Sequence, residues 1–120
     1  MTRQPWTITS DATLEQARQL MREHQIRHLP VLEGGKLAGI VSERDLHRRA
    51  DDPQARVRDA MTVDVLVAGA KDPLDRVVEE MSDRKYGSTV VLGSDGRIEG
   101  ILTTVDGLRF LAELLERVTS

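Results

Sequence analysis

The chain has 120 residues, 39% hydrophobic and 31% charged, with a net charge of −3 and a pI near 5.6, which suits a globular fold with one domain's worth of core. Nucleic acid is disfavoured as the main partner, because that affinity rests on neutralising phosphates and because Trp6, Tyr86 and Phe110 alone give no stacking platform for single strands. The lack of Cys excludes disulfides and thiolate-held zinc, no apolar run reaches the roughly 20 residues of a membrane span, and "MTRQPW" lacks a signal-peptide core, so a soluble cytoplasmic protein is expected.

In chain order, Thr7-Ile8 is predicted as a short strand. Thr13 then caps a helix with Gln16 as its capping-box partner, and Leu14, Ala17, Leu20 and Met21 share one helical face. "HLPVL" and "KLAGIV" flank Gly34-Gly35 and predict a β-hairpin. A second helix starts after Ser42 and carries Arg48-Arg49 near its end, where cations suit the helix dipole. The stretch 51–64, "DDPQARVRDAMTVD", is a polar connector with one helical turn around residues 57–61.

The second half repeats the first. Asp72 is expected to cap a helix with Pro73 at its first position, and Leu74, Val77, Val78 and Met81 form its apolar face. "STVVL" and "RIEGIL" predict a second hairpin. The last helix is predicted from about Thr104 to near Val118. Its stripe of Leu108, Leu111, Leu115 and Val118 suits packing on a sheet, while Phe110 and Leu114 lie on a second face. Two apolar faces predict two burials, one against the sheet and one against another chain, hence a homodimer through helices.

The copies align residue by residue. "GIVSERDL" at 39–46 returns as "GILTTVDG" at 100–107, an offset of 61, and "DATLEQARQLM" at 11–21 matches "KDPLDRVVEEM" at 71–81, an offset of 60. The change places a one-residue insertion in the turn "GSDG", where insertions belong. Met1-Thr2 aligns with Met61-Thr62, so the chain is expected to begin inside a repeat boundary. The expected fold is α+β, two β-α-β-β-α units at 1–50 and 65–120 joined by the connector at 51–64. One unit of about 50 residues is marginal alone. Two are expected to bury their sheet faces against each other about a pseudo-two-fold axis, leaving clefts of the kind ligands use.

Ser42-x-x-Asp45 and Thr103-x-x-Asp106 fit two chemistries. Each reads as a capping box. Each could also bind a ligand, since a carboxylate accepts hydrogen bonds from a vicinal diol and a helix start offers amides to phosphate. The hydroxyl can serve both roles, whereas the Asp cannot fully serve cap and sugar together. Arg27, His28 and Arg44 accompany the first motif, while Gly87, Ser88 and Val105 stand in their places at the second. His24, His28 and His47 lack metal-ligand spacing, Ser42 lacks a His/Asp constellation, and the glycine turns are not phosphate loops. No enzyme, metal or cofactor is expected.

The strings "IRHLPVLEGGKLAGIVSERDL" and "STVVLGSDGRIEGILTTVD", with "VRDAMT" leading into the second, resemble a tandem pair of CBS domains, named after cystathionine β-synthase, over about residues 6–115. The match is to a stand-alone pair of prokaryotic type. The resemblance implies a regulatory module, often dimeric, that senses an adenosine-containing nucleotide such as AMP, ADP, ATP, S-adenosylmethionine or NAD in clefts between the repeats and signals to an effector protein. It implies adenine between the first strand and the hairpin, at Thr7 and Ile8 and, in the second copy, Ala68. It further implies ribose on Ser42 and Asp45 or on Thr103 and Asp106, and phosphates on Arg27, His28 and Arg44, with Ser88 at the position of His28. The rival reading is a ligand-free dimerisation scaffold for a partner protein.

Overall fold

A computed structural model describes residues 2–3 and 5–119. The chain separates into two compact units, one from Trp6 to Val65 and the other from Leu66 onward together with the first strand, β1 (Thr2–Arg3).

The Trp6–Val65 unit carries β2 (Ile8–Thr9), α1 (Leu14–His24), β3 (His28–Glu33), β4 (Lys36–Ser42), α2 (Glu43–Arg48) and α3 (Val57–Ala60). The first strand of the repeat begins one residue later than the sequence suggests, at Ile8. It runs parallel to β3, with Ile8 opposite Val31, and β3 pairs antiparallel with β4. Gly34 and Gly35 turn the hairpin with φ of 59° and 79°, a conformation open to glycine and costly for residues with a Cβ. Helix α1 starts at the expected capping box: Gln16 donates its amide to Thr13 Oγ1 at 3.0 Å, and Thr13 donates to Gln16 Oε1 at 2.9 Å. Leu14, Ala17 and Met21 are buried against Leu29, Val31, Val41 and Leu46. Leu20 is half-buried. The connector is more than a link, because Ala55 and Val57 complete this core and the amides of Val57 and Arg58 donate to the carbonyls of Ala12 and Ser10.

The other unit carries a sheet in the order β1-β7-β6-β5, with β5 (Leu66–Gly69) parallel to β6 (Ser88–Leu92) and β6 antiparallel to β7 (Ile98–Thr103). Helices α4 (Leu74–Arg84) and α5 (Thr104–Thr119) belong to this unit. The aligned lead-ins of the two copies are exchanged. Thr2 precedes the first repeat but pairs with Ile101 of β7, while Thr62 precedes the second repeat but exchanges backbone hydrogen bonds with Ile40 of β4 at 2.9 and 2.8 Å.

Three expectations are corrected here. Asp72 does not cap α4. Pro73 is the N-cap, with an extended ψ of 129°, and the Asp72 carboxylate turns back to accept the Gly69 amide at 2.8 Å, closing the strand–helix turn instead. The apolar face of α4 is only half covered: Val77 and Met81 are buried, but Leu74 and Val78 are exposed. Along α5 no described residue is buried, so the stripe Leu108, Leu111, Leu115 and Val118 does not lie under cover of the sheet. The helix continues directly from the end of β7, and nothing in its own unit covers the stripe. No described helix is long and apolar enough to cross a membrane.

One core position is mismatched. Thr89 in β6 is fully buried and its hydroxyl has no hydrogen-bond partner, whereas the first copy places Leu29 there. An orphaned buried hydroxyl costs about 1–3 kcal/mol. Thr89→Val, which keeps the shape, is therefore expected to stabilise the protein by about 1 kcal/mol, read as a higher urea midpoint. An unchanged or lower midpoint would show that Thr89 has a partner in solution.

Candidate functional site

In the Trp6–Val65 unit the end of the hairpin gathers most of the candidate residues. His28 opens β3 opposite Ser42, the last residue of β4, and the Glu43 amide donates to the Arg27 carbonyl at 2.9 Å. Helix α2 is set by Leu46, which is fully buried, so its first turn is held against the hairpin. Ser42 Oγ accepts the Asp45 amide at 3.1 Å, and the Ser42 amide donates to Asp45 Oδ2 at 2.9 Å. The capping box thus forms in full. The Asp45 side chain is 12% exposed, and its other oxygen, Oδ1, lies 3.9 Å from Arg48 Nη1.

The second unit repeats this geometry. Ser88 stands opposite Thr103, and the Thr104 amide donates to the Gly87 carbonyl at 3.0 Å. Asp106 donates its amide to Thr103 Oγ1 at 3.2 Å, and the Thr103 amide donates to Asp106 Oδ2 at 2.9 Å.

This arrangement eases the competition expected from the sequence. In each motif one carboxylate oxygen holds the cap and the other does not take part in it. The hydroxyl oxygen accepts one amide, and its own hydrogen is left to donate. A vicinal diol could therefore donate one hydroxyl to Oδ1 and accept at the other from Ser42 or Thr103, without breaking the cap.

The cations distinguish the two motifs. Arg44 is exposed and has no ion pair among the described residues. Arg27 lies 3.8 Å from Glu43, both mostly in solvent, a pair of little energetic weight. His28 is half-buried. At the second motif Gly87, Ser88 and Val105 offer no charge. Arg48 is a residue the sequence reading placed only at the helix end. Its i,i+3 spacing from Asp45 was the signal that it also faces the motif.

The strand residues are not gathered with the motif. Ile8 lies opposite Val31, three rungs or roughly 10 Å along β3 from His28. Thr7 and Ile8 line a separate recess of 460 Å³ beside Ala12, Gln16 and Leu20 of the α1 side. Ala68 is opposite Val91, and its side chain is buried with Val77, Met81 and Leu102. No group of three described His, Asp or Glu residues could hold a metal ion.

The CBS domain family profile matches residues 1–52 and 57–113. Among curated proteins, the chain is 35% identical over 100 residues to inosine-5′-monophosphate dehydrogenase of Korarchaeum cryptofilum, covering 83% of this chain and 21% of that enzyme. It is 29% identical over 107 residues to L-aspartate semialdehyde sulfurtransferase of Methanocaldococcus jannaschii, covering 88% of this chain and again 21% of the relative. The chain thus spans about a fifth of the length of these two relatives. Among solved structures it superposes on the CBS domain pair of protein MJ0100 in complex with 5′-methylthioadenosine and S-adenosyl-L-methionine, with a TM-score of 0.84, 27% identity and coverage of 94% and 92% of the two chains. A putative acetoin utilization protein of Vibrio cholerae gives 0.81 at 32% identity, covering 100% of this chain and 93% of the other.

Proposed function

Because the chain belongs to the CBS domain family, we propose that it is a non-catalytic regulatory module that binds an adenosine-containing ligand through Ser42 and Asp45, and through Thr103 and Asp106. The observation that carries the reading is the duplicated motif, which in each unit leaves one carboxylate oxygen and one hydroxyl hydrogen outside the cap. The adenosyl ligands of the MJ0100 pair support the choice of ligand class.

In this reading Arg27, His28 and Arg44 hold phosphates, and Ser88 offers a neutral polar contact at the second motif. Thr7, Ile8 and Ala68 meet adenine chiefly through their backbone, since the Ala68 side chain is already buried. The protein works in the cytoplasm as a homodimer and passes its state to an effector protein. The ligand signals only to the extent that it binds one arrangement of the protein more tightly than another. The scaffold reading draws support from one observation, that both Asp residues are already engaged in caps.

A thermal-shift series with AMP, ATP, S-adenosylmethionine and NAD separates these readings. A ligand at 100 times its Kd stabilises by about 2.7 kcal/mol, and a clear rise in Tm is expected from at least one of them. No shift from any would leave the scaffold. Arg44→Ala is expected to weaken ATP by about tenfold, one charge-assisted contact, while adenosine is unchanged. Equal losses for both would remove Arg44 from phosphate binding.

A further inference from the structure

We propose that the groove between α4 and α5 receives α5 of a second copy of this chain, the two copies related by a two-fold axis. The inference rests on the homodimer reading and says where that dimer is made.

The groove has a volume of 1430 Å³ and is lined by Val77, Val78, Met81, Leu102, Leu111 and Leu114 among others. Its far wall is α5, a sixteen-residue helix with no buried residue. Leu108, Phe110, Leu111, Leu114, Leu115 and Val118 are 46–75% exposed. At 100° per residue these six form one continuous apolar arc of about 160°, with Asp106, Arg109, Glu113, Glu116 and Arg117 on the remainder. The arc has no cover within its own unit.

The first repeat shows what a covered version looks like. There Leu14, Ala17, Met21 and Leu46 are buried, and Ala55 and Val57 from the connector fill the same core. Its helices leave no comparable apolar surface.

The geometry of α5 favours a second copy as the occupant. One helix supplies both the wall of a groove and a protruding apolar arc, so a two-fold operation lets each copy fill the other, an isologous contact. The exposed apolar surface of α5 with Leu74 and Val78 is on the order of 800 Å² per copy, the amount a standard interface takes from each partner. Charge agrees, because Asp75 and Glu79 of α4 edge the groove and an incoming α5 brings Arg109. The consequence reaches the second motif, whose Thr103 and Asp106 sit at the start of α5. A partner would anchor the helix that carries them.

The test is oligomeric state by light scattering, with circular dichroism as the folding check. The native chain is expected at twice its mass. Leu111→Lys/Leu114→Lys, at exposed positions, should stay folded and raise the dimer Kd by about a hundredfold or more. Since the chain has no Cys, single cysteines report proximity independently. Leu114→Cys should oxidise to a linked dimer, and Gln19→Cys, exposed on α1, should not. A native monomer would overturn both the homodimer and the groove. A dimer that survives the double substitution, or that links through Gln19→Cys in place of Leu114→Cys, would keep the homodimer and overturn the groove.

Discussion

Asp45→Ala should weaken binding of an adenosine-containing ligand at the first motif by about tenfold or more, the loss of one charge-assisted hydrogen bond of roughly 1.5–3 kcal/mol. The geometry separates this loss from a folding effect. Oδ2 holds the Ser42 amide at 2.9 Å, while Oδ1 faces Arg48 and is outside the cap. Removing the carboxylate therefore costs the cap as well, about 1 kcal/mol of stability. That leaves the protein folded, because α2 is held by the buried Leu46. Asp45→Asn keeps an oxygen for the Ser42 amide and loses only the charge, so it should recover most of the stability and little of the affinity. Calorimetric titration of the two variants beside their urea midpoints separates the roles. Native affinity in a folded Asp45→Ala protein would reduce the motif to a helix cap.

Gly39→Ala should destabilise the protein by about 3 kcal/mol, combining overpacking with weakened backbone pairing. A Cβ at this position would sit 2.5 Å from the Thr62 carbonyl oxygen and 3.1 Å from Met61 Sδ. The side chain could move aside, but the carbonyl cannot easily do so. It accepts the Ile40 amide at 2.9 Å, and the Thr62 amide donates back to Ile40 at 2.8 Å. The lead-in strand thus needs a residue without a Cβ beneath it. Gly87 is the control, since nothing lies within 4 Å of its Cβ position and its φ is not positive. Gly87→Ala should unfold at the native urea midpoint, and Gly39→Ala well below it. Equal midpoints would mean that the Thr62 pairing does not persist in solution.

What the sequence made legible were features set by local chemistry. The Gly34-Gly35 turn and its flanking apolar runs marked the first hairpin. Thr13 with Gln16, Ser42 with Asp45 and Thr103 with Asp106 marked three capping boxes, all of which form. The offset of 60 to 61 residues located every equivalent element.

Features set by tertiary pairing were not legible. The likeness of Met1-Thr2 to Met61-Thr62 was visible, but sequence does not say that each strand edge is completed by the lead-in of the other repeat. Asp72 had a cap's residue type, yet Pro73 took an extended conformation and sent its carboxylate to Gly69. Ala55 and Val57 lay in a polar stretch whose overall character hid two core positions. For the site, Arg27, His28, Ser42, Arg44 and Asp45 came together because the hairpin register fixes them. Thr7, Ile8 and Ala68 depend on how far a parallel strand slides along its neighbour, which periodicity does not encode.

The central claim is that the duplicated motif binds an adenosine-containing ligand. It is tested most directly by calorimetric titration of AMP and S-adenosylmethionine into the native chain and into Asp45→Asn/Asp106→Asn, a pair of changes that keeps both caps. The account predicts saturable heat from at least one ligand with the native protein, and its loss or severe weakening in a double variant that unfolds at nearly the native midpoint. Native binding that persists undiminished in the folded double variant, or no binding of either ligand to the native chain, would contradict it.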